Sequence, residues 1–257
     1  MPNHFNQQYA KININADDFG YNAMVNRAIY KSFQSGLIQS TSMMVNKEGL
    51  DDAIKILQSD FAISQKTGLH FNLTEGFPLT DSIKSCRRFC NESGEFIFKR
   101  QKPLVNLSKE EERSVYDEML AQMEVLRTIG IIPHHIDSHH HIHTEWPILN
   151  LVIRLANKYG VQKIRLARNM GIQNSFLKKQ YRNLLNTYLK YRVHLVNSDL
   201  FGDLDDYTVA LKNGLTKNRY IEIMVHPNMH PDQETVFEKG KDFKELLASL
   251  MPDSSEV

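Results

Sequence analysis

Two hydrophobic periods alternate along the chain. Short apolar runs that read as strands are followed by longer stretches in which apolar residues recur every three or four positions, the spacing of one helix face. Lys11 to Asn15 reads as a first strand ending at Asp17 and Asp18. Val25 to Gln34 then carries helical spacing through Val25, Ala28, Ile29 and Phe33, with Gly36 just past its end. Further strands are predicted at Ser40 to Val45, Thr67 to Leu73, His134 to Ser138, Val161 to Ala167, His194 to Asn197 and Tyr220 to Val225. Helices are predicted at Leu50 to Leu57, Trp146 to Tyr159 with Gly160 as its stop, Phe176 to Tyr191, Tyr207 to Leu211 and Phe243 to Leu250. Ser108 followed three residues on by Glu111 is a capping-box signature. It opens a helix whose apolar side runs through Val115, Met119, Met123 and Leu126 and which Gly130 ends.

Strands alternating with helices build a parallel sheet covered by helices, and α/β barrels of this length are routinely one domain, so 1–257 is read as a single unit. Between Pro78 and Pro103 the pattern lapses into mixed charge around Gly94, which predicts a long excursion with a small hairpin that serves as a substrate loop. The positional regularity matters most. Asp17, Asp18, His70, His139 and His226 all follow strand-like segments, and in a β/α barrel the strand ends converge on one face.

Charged residues make up 24% of the chain and the formal net charge is +1, so no global field draws in nucleic acid or an anionic membrane. MPNHFNQQYA lacks the apolar run of a secretory signal, and no stretch approaches the roughly 18 apolar residues that span a bilayer, which predicts a cytoplasmic location. Cys86 and Cys90 lie four apart, unlike a redox or zinc Cys-x-x-Cys, and read as reduced thiols.

The chemistry centres on histidine. His134, His135, His139, His140, His141 and His143 crowd around Asp137, and imidazole is the commonest protein ligand for first-row metals. An exposed His-rich loop is the plainer reading, but the carboxylate pair Asp17 and Asp18 and the strand-borne His70 weigh against it. Adjacent carboxylates at a strand end point in different directions, so one ligand and one general base is the natural division. Two histidines and one carboxylate leave positions on a divalent ion for water and a substrate oxygen, which suits hydrolysis of an amide or ester. Arg165 is either a surface charge or a cation that tunes a catalytic carboxylate.

The segments NADDFG, GLHFNLTEG, HIDSHHHIH and EIMVHP, with STSMMVN and IRLARN, resemble the YdjC-like family of carbohydrate deacetylases, in the family's order from about Asn13 to His226. The resemblance implies an irregular (β/α) barrel, TIM-barrel-like and related to the polysaccharide deacetylases. It implies a divalent ion, Mg2+ or Zn2+, held by Asp18, His70 and His139, with Asp17 as general base, His226 as the acid for the departing amine and Arg165 as a supporting cation. His141 and His143 are expected to contact substrate or to support the metal ligands from behind, and Asn72 to contact substrate. The implied reaction removes an N-acetyl group from a GlcNAc unit of a small chitooligosaccharide, such as diacetylchitobiose or its phosphate, and a homodimer is implied by family analogy alone. The family often carries a cysteine and a glycine where this chain has Val225 and Asn228. Competing readings are a deacetylase of a lipid- or nucleotide-linked amino sugar, a non-haem iron oxygenase with the same ligand types, and a scaffold that binds without turnover.

Overall fold

The computed structural model describes residues 12–99, 104–171, 175–192, 198–230 and 234–250. The predicted strand His194 to Asn197, the start of the first strand at Lys11 and the chain termini lie outside the described residues. Six parallel strands form one sheet in the order β4, β3, β2, β1, β6, β5: β1 Ile12–Phe19, β2 Ser40–Met43, β3 Thr67–Phe71, β4 Ile136–Ser138, β5 Leu200–Gly202 and β6 Ile221–Val225. The register pairs Asn15 with Ser40 and Met224, and His70 with Asp137.

The sheet closes through one irregular segment. Lys163 and Arg165 bond the backbone of Ile136 at the β4 edge. A few residues on, the N–H groups of Asn169 and Met170 donate to the Phe201 carbonyl at the β5 edge. The predicted strand Val161 to Ala167 is thus reduced to a single parallel bridge, Ile136 with Ile164, because the segment crosses from one edge to the other instead of running along either. The barrel is (β/α)-type but irregular, with a broken staple in place of further regular strands.

Helices coat the outside, each with local reasons to begin and end. In α1, Ala23–Gln34, the Asn22 side chain accepts from the Val25 N–H, and Ala28 and Ile29 face inward. α2 is Leu50–Ser59, with the short α3, Phe61–Ser64, and α4, Asp81–Lys84, following in the connections. Both halves of the Ser108–Glu111 capping box form at the head of α5, Lys109–Thr128, and Val115, Met119, Met123 and Leu126 are all buried. α6, Trp146–Tyr159, ends on Gly160 in the left-handed region. α7, Phe176–Arg192, α8, Leu204–Lys212, and α9, Phe243–Leu250, complete the coat. None of the described helices is long and apolar enough to cross a membrane. A small antiparallel sheet of β7, Asn228–Met229, β8, Val236–Glu238, and β9, Lys241–Asp242, packs beside α1.

The excursion after β3 carries local structure of its own. Cys90 bridges Phe96 in an antiparallel pair, so the predicted hairpin exists in minimal form, and Phe89 stacks on Phe98 at 5.3 Å. Cys86 and Cys90 are free thiols, and burial pushes Cys90 up to about 11.

Candidate metal and catalytic site

Alternation along β1 sends Asn13, Asn15 and Asp17 into the barrel, and by the same rule Asp18 would face out. It does not, because β1 slips register against β2 between Ala16 and Phe19 and Asp18 adopts a φ of 68°. Bulges of this kind re-aim side chains beside active sites. The bulge brings Asp18 Oδ1 to 3.2 Å from His70 Nε2. Gly20 completes the turn at a φ of 91°, where a Cβ would collide with the Met44 carbonyl.

His70 projects inward from β3, and its Nδ1 lies 2.7 Å from Asp137 Oδ1 on β4. Ser42 donates to the other oxygen of Asp137 at 2.9 Å. His139 is the first residue past β4, in a 3-10 turn, His139–Thr144, in which His140 and His141 have left-handed backbone angles. Its Nδ1 lies 2.7 Å from Thr74 Oγ1, and its ring stacks on His140 at 3.9 Å. His226 follows β6, with its N–H donated to Glu238 Oε2 at 2.6 Å. Asp17, Asp18, His70, Lys99, Ser138, His139, His140, His141 and His226 line one cleft of ≈ 690 Å³, within the about 300–1,000 Å³ of small-molecule sites.

Behind the cleft lies a buried ionic cluster. Arg165 is fully enclosed and grips Asp17 with both terminal nitrogens, at 2.6 and 2.7 Å, while also reaching Asp137 Oδ2 at 2.7 Å and Glu222 Oε1 at 2.7 Å. Lys163 reaches the second oxygen of Glu222 at 3.3 Å. Burial alone would raise Asp17, but the guanidinium overrides it and holds that carboxyl well below the usual range. Glu222 is held at about 2 against the same burial by Lys163 and Arg165. His70 is raised to about 10: burial opposes the charged form, and Asp137 and Asp18 outweigh it. His139 is lowered to about 4, by burial first and then by the charge on His70.

Among the described residues, one group of three has ligand atoms close enough to share a metal ion, and the pair Asp18 and His70 lies beside it. Ligand atoms of Asp17, His70 and Asp137 lie within 4.8 Å of one another. Both carboxylates of that group are already engaged by Arg165, so an ion there would meet a guanidinium. Asp18 Oδ1 is different: it is buried without a hydrogen-bond partner, next to His70 Nε2. The 3.2 Å between them suits two atoms sharing one ion with bonds of about 2.1 Å. His70 places its other ring nitrogen on a carboxylate and His139 on a hydroxyl, the support typical of metal-binding imidazoles. Asp18 and His70 are thus placed to share a divalent ion, with His139 lining the same cleft.

The structure brings together Asp17, Asp18, His70, His139, His141 and His226 at the cleft, with Arg165 directly behind Asp17. It does not bring Asn72 or His143 there. Asn72 is fully buried and spends its amide on Asn46, Thr74 and Glu75; His143 is fully buried with Nδ1 2.6 Å from Ser138 Oγ. Neither lines the cleft, and His143 takes a supporting place against Ser138, a residue that does. Sequence reasoning gave no role to Ser42, Thr74, Glu222 or Glu238, and none to Lys99, which the excursion delivers to the cleft. Glu222 carried a signal, as a lone charge inside an otherwise apolar strand.

The YdjC-like protein family model matches residues 11–254. A carbohydrate deacetylase of Vibrio parahaemolyticus is 31% identical over 230 residues, 90% of this chain and 82% of that one. One from Geobacillus stearothermophilus is 31% identical over 228 residues, covering 83% and 78%. In fold, the chain is similar to an Enterococcus faecalis protein whose description proposes cellobiose-phosphate cleavage, with a TM-score of 0.64, 23% identity, and 85% and 81% of the two chains covered. With the motif residues converging at one end of an irregular barrel and the family model spanning nearly its whole length, the chain belongs to the YdjC-like family.

Proposed function

We propose that this chain is a metal-dependent carbohydrate N-deacetylase that removes acetyl groups from the GlcNAc units of small chitooligosaccharides, such as diacetylchitobiose or its phosphate. The observation that carries the reading is the buried carboxylate oxygen of Asp18 that faces His70 Nε2 at 3.2 Å, in a cleft that also holds a second carboxylate kept ionised by a buried arginine. The carbohydrate deacetylases among the relatives support the sugar substrate.

Asp18, His70 and His139 would hold the ion, magnesium or zinc. Bound there, it would supply Lewis acidity for the acetamide carbonyl and make a nearby water more acidic. Asp17, ionised throughout the neutral range, accepts a proton from the attacking water as the new C–O bond forms. Arg165 orients that carboxylate with two hydrogen bonds and lowers its basicity. The register that pairs Ala16 with Val225 brings the chain to Asp17 on one strand and to His226 just past the end of the next, and both line the cleft. His226 gives the departing nitrogen its proton as the C–N bond breaks, and acetate and the free amine leave. His140 and His141, at the cleft wall, face the sugar.

The test is acetate release from diacetylchitobiose and its phosphate by metal-stripped protein, with zinc, magnesium, cobalt or nothing added back. Metal-dependent release is expected. Equal release without metal refutes the metal role. Silence with both sugars from protein that still binds metal moves the substrate to lipid- or nucleotide-linked amino sugars.

A further inference from the structure

We propose that helix α7 is a docking ridge for an anionic lipid surface, on which the folded chain lies without inserting a span. The proposal is independent of the reaction assigned to the cleft.

Charge is the first observation. The chain holds 30 Asp and Glu against 31 Lys and Arg, yet no acidic residue occurs between Glu145 and Asp199. That stretch contains α6 and α7. Arg154 and Lys158 lie on α6, and Lys178, Lys179, Arg182, Lys190 and Arg192 on α7. The two helices are neighbours, with the ring centres of Trp146 and Tyr188 4.9 Å apart and the Tyr188 hydroxyl donating to Asn150 Oδ1 at 2.8 Å. A chain with almost no net charge therefore carries one cationic flank. Lys190 meets Asp199 only at 3.9 Å, and Arg219 approaches the same oxygen at the same distance.

Shape is the second. The inner side of α7 ties it to the barrel: Leu185 and Leu189 are buried, and the Asn186 amide exchanges hydrogen bonds with both backbone groups of Ala167 at 2.7 and 2.9 Å. Its outer side carries Phe176, Leu177, Leu184 and Tyr191, which are 72%, 78%, 59% and 79% exposed. Leu177, Leu184 and Tyr191 recur every seven residues and so form one line along the helix, about 21 Å long. Apolar side chains so open have no walls beside them. They make a ridge, and a ridge offers no groove to a partner helix. Single exposed apolar residues are normal on a soluble surface, whereas a line of them on a cationic helix without an acid is not.

The occupant must answer both features. A second copy of α7 would set cations against cations. Nucleic acid would answer the cations and leave the apolar line in water. A plane of anionic headgroups answers both: the Leu and Phe side chains enter the boundary of the acyl chains, Tyr191 sits at headgroup level, and the Lys and Arg stems reach the phosphates.

The test is co-sedimentation of the full chain with vesicles of phosphatidylcholine alone or mixed equally with phosphatidylglycerol. The emission of Trp146, the chain's only tryptophan and a neighbour of α7, is read in parallel. Binding to the mixed vesicles alone is expected, weakening as salt is added. Lys178→Gln with Lys179→Gln removes two cations and should weaken binding about 25-fold, or about fivefold for each. Leu177→Ser with Leu184→Ser leaves every charge in place and should weaken it at least as much. All four positions are exposed, so both variants should melt with the parent. No binding to the mixed vesicles, equal binding to both kinds, or parental binding in either variant would overturn the proposal. So would a parent dimer that the Leu177→Ser, Leu184→Ser variant disperses, which would assign the ridge to a second copy.

Discussion

The two faces of one sheet are built from opposite materials. Outward, Ile14, Ala16, Met43, Leu69, Phe71, Ile136, Ile221, Ile223 and Val225 pack under the helices. Inward, Asn15, Asp17, Ser42, His70, Asp137, Arg165 and Glu222 are just as buried and nearly all polar or charged. Burial does not separate the faces. Partnering does: each inner group survives out of water only because another answers it, as Ser42 and His70 answer Asp137 and Arg165 answers three carboxylates. The apolar face stabilises the barrel in proportion to area, whereas the polar face contributes little net stability and fixes the geometry of the cleft above it.

The sharpest way to break that contrast is Arg165→Met. Three carboxylates would lose their shared cation inside a closed barrel, and removal of one partner from a buried ionic cluster costs about 3–5 kcal/mol. Urea unfolding should show that loss. An Arg165→Met protein as stable as its parent would mean that water reaches the cluster and that the inner face is not dry.

Acid provides the same contrast without mutation. Glu222 is held at about 2, and Asp17 and Asp137 below their ordinary values, so these groups contribute stability above their unfolded values, about 4. That contribution should shrink steadily as pH falls from about 4.5 to 2. In Arg165→Met the same carboxyls would be raised by uncompensated burial, so acidification should relieve the variant while it weakens the parent. The stability gap between them should therefore narrow on acidification; a constant gap would place the effect of Arg165 in packing instead of charge.

The outer face was readable in the sequence and the inner one only in part. Helices α6 and α9 appear with their predicted bounds because Gly160 and the apolar period are local signals. Asn15 and Ser42, on the inner side of β1 and β2, escaped because polar alternation usually marks a solvent face, and nothing local says that a barrel will close over it. Val161 to Ala167 was read as a regular strand although it pairs with β4 only through Lys163 and Arg165 before the chain crosses to β5 at Asn169 and Met170, a fact of topology alone. The candidate site divides in the same way. Asp17, Asp18, His70 and His139 stood out by residue type and strand-end position, but residue type could not show that Asn72 and His143 stay out of the cleft lining, or reveal that Thr74 stands between Asn72 and His139. Strands of two or three residues such as β7 to β9 are too short to show a period.

The smallest perturbation tests whether the faces are independent. Ile223 points outward from β6 between Glu222 and Met224, and its side chain is fully buried in the apolar core. Ile223→Val removes one methylene from that core and should cost about 0.5–1.5 kcal/mol. In a chain of this size each kcal/mol lowers the melting midpoint by about 2–4 °C. Zinc affinity and acetate release should stay at parental values, because the loss falls on the side of the sheet that Arg165 does not touch. A change in metal affinity from this variant would show that packing under the helices is transmitted through β6 to Glu222 and Arg165. The polar interior would then be held in place by the apolar coat as well as by its own hydrogen bonds.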